Sequence, residues 1–320
     1  MAVNADKPHL WKADIAHSID FYNDWFMQFA PQTYRDTRAE TTKQVTDALQ
    51  LTANLTRIAP EVLRENPTVL PILRMTTAPP IARDRLIGLA RVAPGLVKSM
   101  EVEQRIPPRM LQSNIDADLR RIGEIIANLT DRDLFPWLEH NQQPIEMAVQ
   151  RAATVVADRL CGAVADPIIR NAQERRQLVT IQQWLEQRGY ALVKAGEGVA
   201  AFEMQPGTFA FRLNIPVKLT GGTRKINILI DAVVMPARAQ AGELPLLIEA
   251  KSAGDFTNTN KRRKEEAVKI TQLRNNYGED VRLVLFLCGY FDSGYLGYEA
   301  AEGIDWVWEH RTDDLAAFGL

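Results

Sequence analysis

Two strand-like runs, at residues 225–235 and 244–251, constrain the fold of this 320-residue sequence more than any other part of it. The first reads KINILIDAVVM and interrupts its apolar residues with Asp231, and the second reads LPLLIEAK and ends in Glu249 and Lys251. Because side chains two residues apart on a strand share a face, Glu249 and Lys251 should point the same way. If the two runs form an antiparallel hairpin, Asp231 reaches that face as well.

Two carboxylates and one ammonium on a single polar spot are costly to hold together without a cation or a phosphate between them. Mg²⁺ is a suitable partner, because it prefers oxygen ligands and keeps several of its own waters. We predict that Asp231, Glu249 and the Ala250 carbonyl bind Mg²⁺, which would polarise a phosphate and activate a bound water. Lys251 would orient that water and offset charge on the transition state. The alternative is that Glu249 and Lys251 merely flank a strand at the surface.

The sequence changes character near residue 165. Residues 1–164 show helical spacing of apolar residues, broken by prolines. Residues 165–320 begin with a long predicted helix with Pro167 in its first turn, followed by alternating and apolar runs. Those runs predict strands at 208–219, 225–235, 244–251 and 281–288, and a helix at 260–277. The predicted fold class is therefore α+β, with a mostly helical N-terminal region and a central mixed sheet flanked by helices.

The composition excludes several classes of protein. The formal net charge is −2 and the pI about 6.2, so any surface for nucleic acid would have to be local. The two cysteines are far apart and the four histidines show no ligand spacing, which argues against a disulfide framework or a zinc cluster. No apolar run is long enough to cross a bilayer. We expect a cytoplasmic protein without membrane association.

The order of helix and strands, with Asp231 on the second strand and Glu249 and Lys251 ending the third, resembles the PD-(D/E)XK nuclease superfamily. Ile230 stands where the name of that superfamily has proline. More narrowly, TTAPPIARDRLIGLA (76–90) and IEAKSAGDFTNTNKRRKEEA (248–267) are similar to the XamI family of type II restriction endonucleases, and the second stretch also to XhoI-like restriction enzymes. The resemblance implies a Mg²⁺-dependent, sequence-specific endonuclease that cuts both strands of DNA, usually as a homodimer on a short palindromic site.

The resemblance also suggests a further catalytic acid, Glu174, on the long helix before the sheet. Superfamily members often place an acid there, directed toward the metal. The alternative is that Glu174 lies on a solvated helix face and pairs with Arg170 or Arg175.

A basic stretch after the third strand is the predicted DNA-reading element. Residues 251–276 hold seven Lys or Arg against three acids, a local net charge of +4. Asn and Arg side chains can pair with base edges in the major groove, and a helix N-terminus suits phosphates. The residues assigned to DNA contact are Thr257, Asn258, Thr259, Asn260, Lys261, Arg262 and Arg263. The alternative is a solvated helix face.

The helical region, residues 1–164, is assigned a role in clamping DNA or in dimerisation. Its candidates for DNA contact are Arg83 and Arg85, at the start of a predicted helix. An equally good interpretation is a structural salt bridge centred on Asp84.

Two alternative functions remain open from the sequence. One is a structure-selective or repair nuclease of the same superfamily, for which a broader basic surface would be expected. The other is a non-catalytic DNA-binding or assembly protein that keeps the fold, against which the intact set of Asp231, Glu249 and Lys251 argues.

Overall fold

The structure, a computed structural model, describes residues 2–140, 142–194, 200–218, 225–257 and 259–320, without the side chains of residues 260–263. The α-helices are α1 (Pro8–Leu51), α2 (Pro60–Glu65), α3 (Val69–Met75), α4 (Arg83–Ala90), α5 (Pro94–Lys98), α6 (Gln112–Leu129), α7 (Trp137–His140), α8 (Glu146–Glu186), α9 (Thr259–Tyr277) and α10 (Ser293–Ala301). A π-helix spans Ser99–Glu103, and 3₁₀-helices span Ala201–Glu203 and Glu309–Phe318. The strands are β1 (Ala191–Leu192), β2 (Thr208–Lys218), β3 (Lys225–Met235), β4 (Leu246–Ala253), β5 (Arg282–Gly289) and β6 (Asp305–Trp308).

The chain divides into two compact units, one of residues 30–169 and one of residues 1–29 together with 170–320. The sequence predicted one helical region of residues 1–164. The helical unit instead begins at residue 30 and ends at residue 169. Helix α8 continues through Pro167, which the sequence suggested as the start of a new helix. Residues 2–29 group with the C-terminal half, because Asn4 Nδ2 donates to the Trp306 carbonyl at 2.8 Å. Such long-range contacts leave no local pattern in the sequence.

The unit of residues 30–169 is helical and has its own core. Helices α2 and α5 both begin at a proline, Pro60 and Pro94, whose fixed φ suits the first helical position. Apolar side chains between Val45 and Leu160 form one continuous buried cluster. The predicted helical character of this region is confirmed.

The second unit is built on a mixed sheet with the strand order β1-β2-β3-β4-β5-β6 among the described residues. β2, β3 and β4 are antiparallel neighbours, whereas β4 and β5 run parallel with α9 in the connection between them. The predicted strands are confirmed to within about two residues at their ends. The sequence also predicts a turn between β2 and β3 at Gly221 and Gly222, which lie outside the described residues.

Each face of the sheet packs against different helices. On the face that we call the α9 face, Leu247 and Leu285 share a cluster with Ile270 of α9 and Leu296 of α10. On the opposite face, the α8 face, Ile248 shares a cluster with residues of α8. Strand β5 is therefore buried on both sides, as its apolar sequence predicted.

A buried ion pair joins α8 to the end of the sheet. Arg176 donates to Glu309 at 3.0 Å, and its guanidinium lies 4.7 Å from the centre of the Trp25 ring. Burial raises the pKa of the Glu309 carboxyl, and the positive charge of Arg176 opposes that increase.

None of the described helices combines the length and apolar character that crossing a bilayer would need.

Candidate active site

The predicted acids lie where strands β3 and β4 separate. The antiparallel ladder between these strands ends at the pair Ala232 and Ile248, and one more step in register would pair Asp231 with Glu249. Instead, the Ala250 N–H donates a hydrogen bond to Asp231 Oδ2 at 2.9 Å. Because the N–H and C=O of a strand residue point to the same edge, the Ala250 carbonyl faces this gap too.

The strand that carries Asp231 is irregular at that residue. Ile230 packs on the α9 face and Ala232 on the α8 face, although residues two apart on a regular strand share a face. On β2, Arg212 lies across from Asp231, has a left-handed φ of 53° and is missing from the ladder. That conformation costs a non-glycine residue about 1–2 kcal/mol. Irregularities of this kind redirect side chains, and here the redirected side chain is that of Asp231.

Glu249 is almost completely buried, with 3% of its surface exposed, and both of its carboxylate oxygens contact ammonium groups. Lys251 Nζ lies 3.4 Å from Oε2, and Lys269 Nζ of α9 contacts Oε1. Burial raises the pKa of Glu249; Lys251 and Lys269 oppose this effect, and Asp231 adds to it. The prediction that Glu249 and Lys251 share a face is confirmed.

Lys251 has a second acidic partner, Glu266 of α9. Its Nζ lies 2.9 Å from Glu266 Oε1, and Glu266 is only 1% exposed. Burial alone would lower the pKa of Lys251, but Glu249 and Glu266 outweigh it and raise that pKa. Glu299 of α10 is fully buried nearby, and burial together with the Glu266 carboxylate raises its pKa to about 8.

Sequence reasoning did not assign a role to Glu266, Lys269 or Glu299. Glu266 and Lys269 entered it only as charges in a basic stretch. A usable signal was present, because each lies four residues before a buried apolar residue of α9, Ile270 or Leu273. Residues at that spacing share a helix face, so both side chains had to point toward the sheet.

Among the described residues, Glu174 pairs with Arg212 of β2 and forms no ion pair with Lys251. Its Oε1 accepts a hydrogen bond from Arg212 Nη2 at 2.6 Å, so its partner is neither of the neighbouring arginines that the sequence suggested. Three residues on, Gln177 Nε2 donates to the carbonyls of Lys251 and Phe286 at 3.3 and 3.0 Å. Helix α8 thus supports the strand of the candidate site through Gln177. A catalytic role for Glu174 stays a prediction.

The predicted DNA-reading segment follows the site directly. Asp255 Oδ1 accepts a hydrogen bond from the Thr257 N–H at 2.8 Å, and Thr259 Oγ1 donates to the Phe256 carbonyl at 2.9 Å as α9 begins. Asn258 and the side chains of residues 260–263 lie outside the described residues. Contact between this segment and bases stays a prediction.

Arg83 and Arg85 lie in the first turn of α4, where Arg85 is exposed and Arg83 half-buried. The alternative interpretation, a salt bridge around Asp84, is wrong within the described part of the chain, where no ion pair within 4.0 Å involves Asp84. DNA contact by these arginines stays a prediction.

Comparisons with known proteins give a consistent result. A model of the XamI restriction endonuclease family matches residues 53–308. The type II restriction enzyme SalI of Streptomyces albus G is 54% identical over 317 residues, which cover 99% of each chain. A solved structure, protein VC1899 from Vibrio cholerae, matches 90% of this chain and 55% of its own at 13% identity and a TM-score of 0.29, which is too low to bear on the fold.

Proposed function

Because this chain belongs to the XamI restriction endonuclease family and is a type II restriction endonuclease, we propose that Asp231, Glu249 and Lys251 form its catalytic centre. The observation that carries the proposal is the separation of β3 and β4, which leaves Asp231 beside Ala250. Phosphodiester hydrolysis needs an activated water and stabilisation of charge on the phosphate. Lys251 would orient that water and offset charge on the transition state.

We propose that residues 165–320, most of which lie in the unit that contains the sheet, form a PD-(D/E)XK core. Three features support this: the antiparallel β2-β3-β4 set, the parallel β4-β5 crossover through α9, and the acids at the end of the β3-β4 ladder. The region of residues 1–164, with Arg83 and Arg85, would clamp DNA or form a dimer contact. We also propose Glu174 as a further catalytic acid. Its ion pair with Arg212 would have to break for it to reach the site.

The donor groups at the gap fit Mg²⁺. The described residues hold no group of three or more His, Cys, Asp or Glu placed to bind a metal. Asp231, Glu249 and the Ala250 carbonyl nevertheless offer three oxygen ligands, and Mg²⁺ needs few from the protein. When bound, Mg²⁺ supplies a Lewis acid that polarises the phosphate and lowers the pKa of a water. The proposed cofactor is therefore Mg²⁺.

Cleavage of both strands implies two catalytic centres, and each chain offers one such set of residues among those described. We therefore propose a homodimer on a short palindromic site, since a two-fold axis in the protein then matches that of the DNA.

The proposed location of the protein is the cytoplasm. A DNA substrate and two free, buried cysteines, Cys161 and Cys288, suit that reducing compartment.

The test of this site is a Mg²⁺ titration of DNA cleavage by Asp231→Asn. The variant should need at least about tenfold more Mg²⁺ for half-maximal cleavage, because a neutral amide replaces a charged ligand. Asp280→Asn, which neutralises an exposed acid, should titrate like the unaltered enzyme. Identical titrations for all three proteins would remove Asp231 from the proposed centre.

Phosphate contact by Arg83 and Arg85 can be measured from the salt dependence of DNA affinity. Each phosphate contact adds about 0.9 to the slope of log K against log salt. The double variant Arg83→Ala/Arg85→Ala should therefore lower the slope by nearly two. Arg57→Ala, which removes another exposed arginine, should leave the slope unchanged. An unaltered slope in the double variant would contradict the clamping role.

A further inference from the structure

Helix α9 contacts the catalytic strand through two crossed ion pairs. Glu266 of the helix pairs with Lys251 at 2.9 Å, and Lys269 of the helix pairs with Glu249 Oε1. Glu266 and Lys269 are three residues apart, so they lie on one face of α9. Helix α9 therefore places the carboxylate of Glu266 against the ammonium of Lys251, and the ammonium of Lys269 against the carboxylate of Glu249.

This arrangement is not needed to attach α9 to the sheet. Ile270 and Leu273 already pack in the apolar cluster of the α9 face. Glu249 and Glu266 are both nearly fully buried, and buried ion pairs commonly add less stability than apolar residues of the same volume. A costly group of charges around residues of an active site points to a role in the reaction.

Lys269 contacts Oε1, one of the two Glu249 oxygens available to the proposed metal. An ammonium and a divalent cation on the same carboxylate repel each other, and each gains from the same negative charge. We propose that Lys269 is a positioning residue that competes with the divalent cation for Glu249, and that Glu266 is a positioning residue that orients Lys251. The inference rests on the proposed active site, and it makes metal binding depend on the displacement of Lys269.

The first test measures metal affinity without DNA, by calorimetric titration with Mn²⁺ and with Ca²⁺ at alkaline pH. Lys269→Met keeps the length of the side chain and removes its charge, so the metal should bind on the order of tenfold more tightly. Lys269→Arg should bind metal more weakly, because a guanidinium can hold a carboxylate through two hydrogen bonds. Lys43→Met, which removes an exposed lysine, is the matched control.

The two Lys269 variants move metal affinity in opposite directions if Lys269 competes with the cation. Equal affinity in all variants, or weaker binding in Lys269→Met, would overturn the inference. If only Lys269→Arg folds normally, metal binding by that variant as tight as in the unaltered protein would overturn it. Such a result combined with an impaired Asp231→Asn would leave the proposed active site standing. If Asp231→Asn titrates normally, the proposed site fails, whatever Lys269 does.

The second test separates orientation of Lys251 from a purely structural role of Glu266. Glu266→Gln should lower kcat about tenfold or more and leave KM for DNA unchanged, because the loss appears only in the transition state. In the Lys251→Met background, Glu266→Gln should cause no further loss, since both changes remove the same interaction. Fully additive losses, or an effect confined to KM, would contradict the role.

Discussion

Replacing Lys251 with methionine should lower the rate of DNA cleavage by about 10²–10³-fold, the usual cost of removing one group that stabilises transition-state charge. Methionine keeps most of the length and volume of the side chain and loses the ammonium. Single-turnover cleavage with saturating Mg²⁺ measures the chemical step. DNA affinity, measured with Ca²⁺ in place of Mg²⁺, should change little, because the loss concerns the transition state.

Lys251→Met also leaves Glu249 and Glu266 facing each other without their shared partner, so its stability must be checked separately. Breaking a buried pair by removing one member costs about 3–5 kcal/mol. The double variant Lys251→Met/Glu266→Gln should recover part of that loss and remain inactive. Lys225→Met, at the exposed start of β3, serves as the control. Cleavage by Lys251→Met within a few-fold of the unaltered enzyme would rule out its catalytic role.

The second large effect concerns stability and involves Arg176→Met. This change leaves Glu309 buried without its cation, removes a hydrogen bond to Cys288 Sγ, and should lower the free energy of unfolding by about 3–5 kcal/mol. Arg188 is a matched control just beyond the end of that helix, because it also pairs with an acid, Asp313, and stacks on an aromatic ring. That pair is exposed, so Arg188→Met should cost about 1 kcal/mol or less.

The loss in Arg176→Met should depend on pH. Burial keeps the pKa of folded Glu309 above its value in the unfolded chain. Between those two values the folded state binds more protons, so stability falls as pH rises. Removing Arg176 raises the folded pKa further, and the deficit should be largest near about pH 8 and shrink toward about pH 5. Urea unfolding at both pH values measures this difference, and an equal deficit at both would show that Glu309 is not its cause.

The sequence predicted the strands and the shared face of Glu249 and Lys251 because a period of two is a local property. It could not predict how far β3 and β4 separate, since that depends on the break at Asp231 and on the left-handed Arg212. The roles of Glu266 and Lys269 were missed for another reason. Helix α9 carries charges on its packed side as well as its solvent side, so finding Ile270 and Leu273 on the packed side did not by itself draw attention to the charged residues beside them.

The division of the chain was predicted less well than its elements. Pro167 suggested a helix start because proline favours the first turn, but α8 continues through it and tolerates the missing hydrogen bond. Family membership decides between restriction and the two alternative functions, which residue patterns alone left open.

The crossed pairs around Glu249 also determine the sign of the local electric field. Asp231, Glu249 and Glu266 place three carboxylates against the two ammonium groups of Lys251 and Lys269, a net of −1. A cluster of that sign repels a phosphodiester. One divalent cation that displaces Lys269 would change the net charge from −1 to 0 and remove the repulsion. The scissile phosphate should therefore reach its reactive position only after the metal has bound. DNA that binds before the cation should be held by contacts outside this cluster.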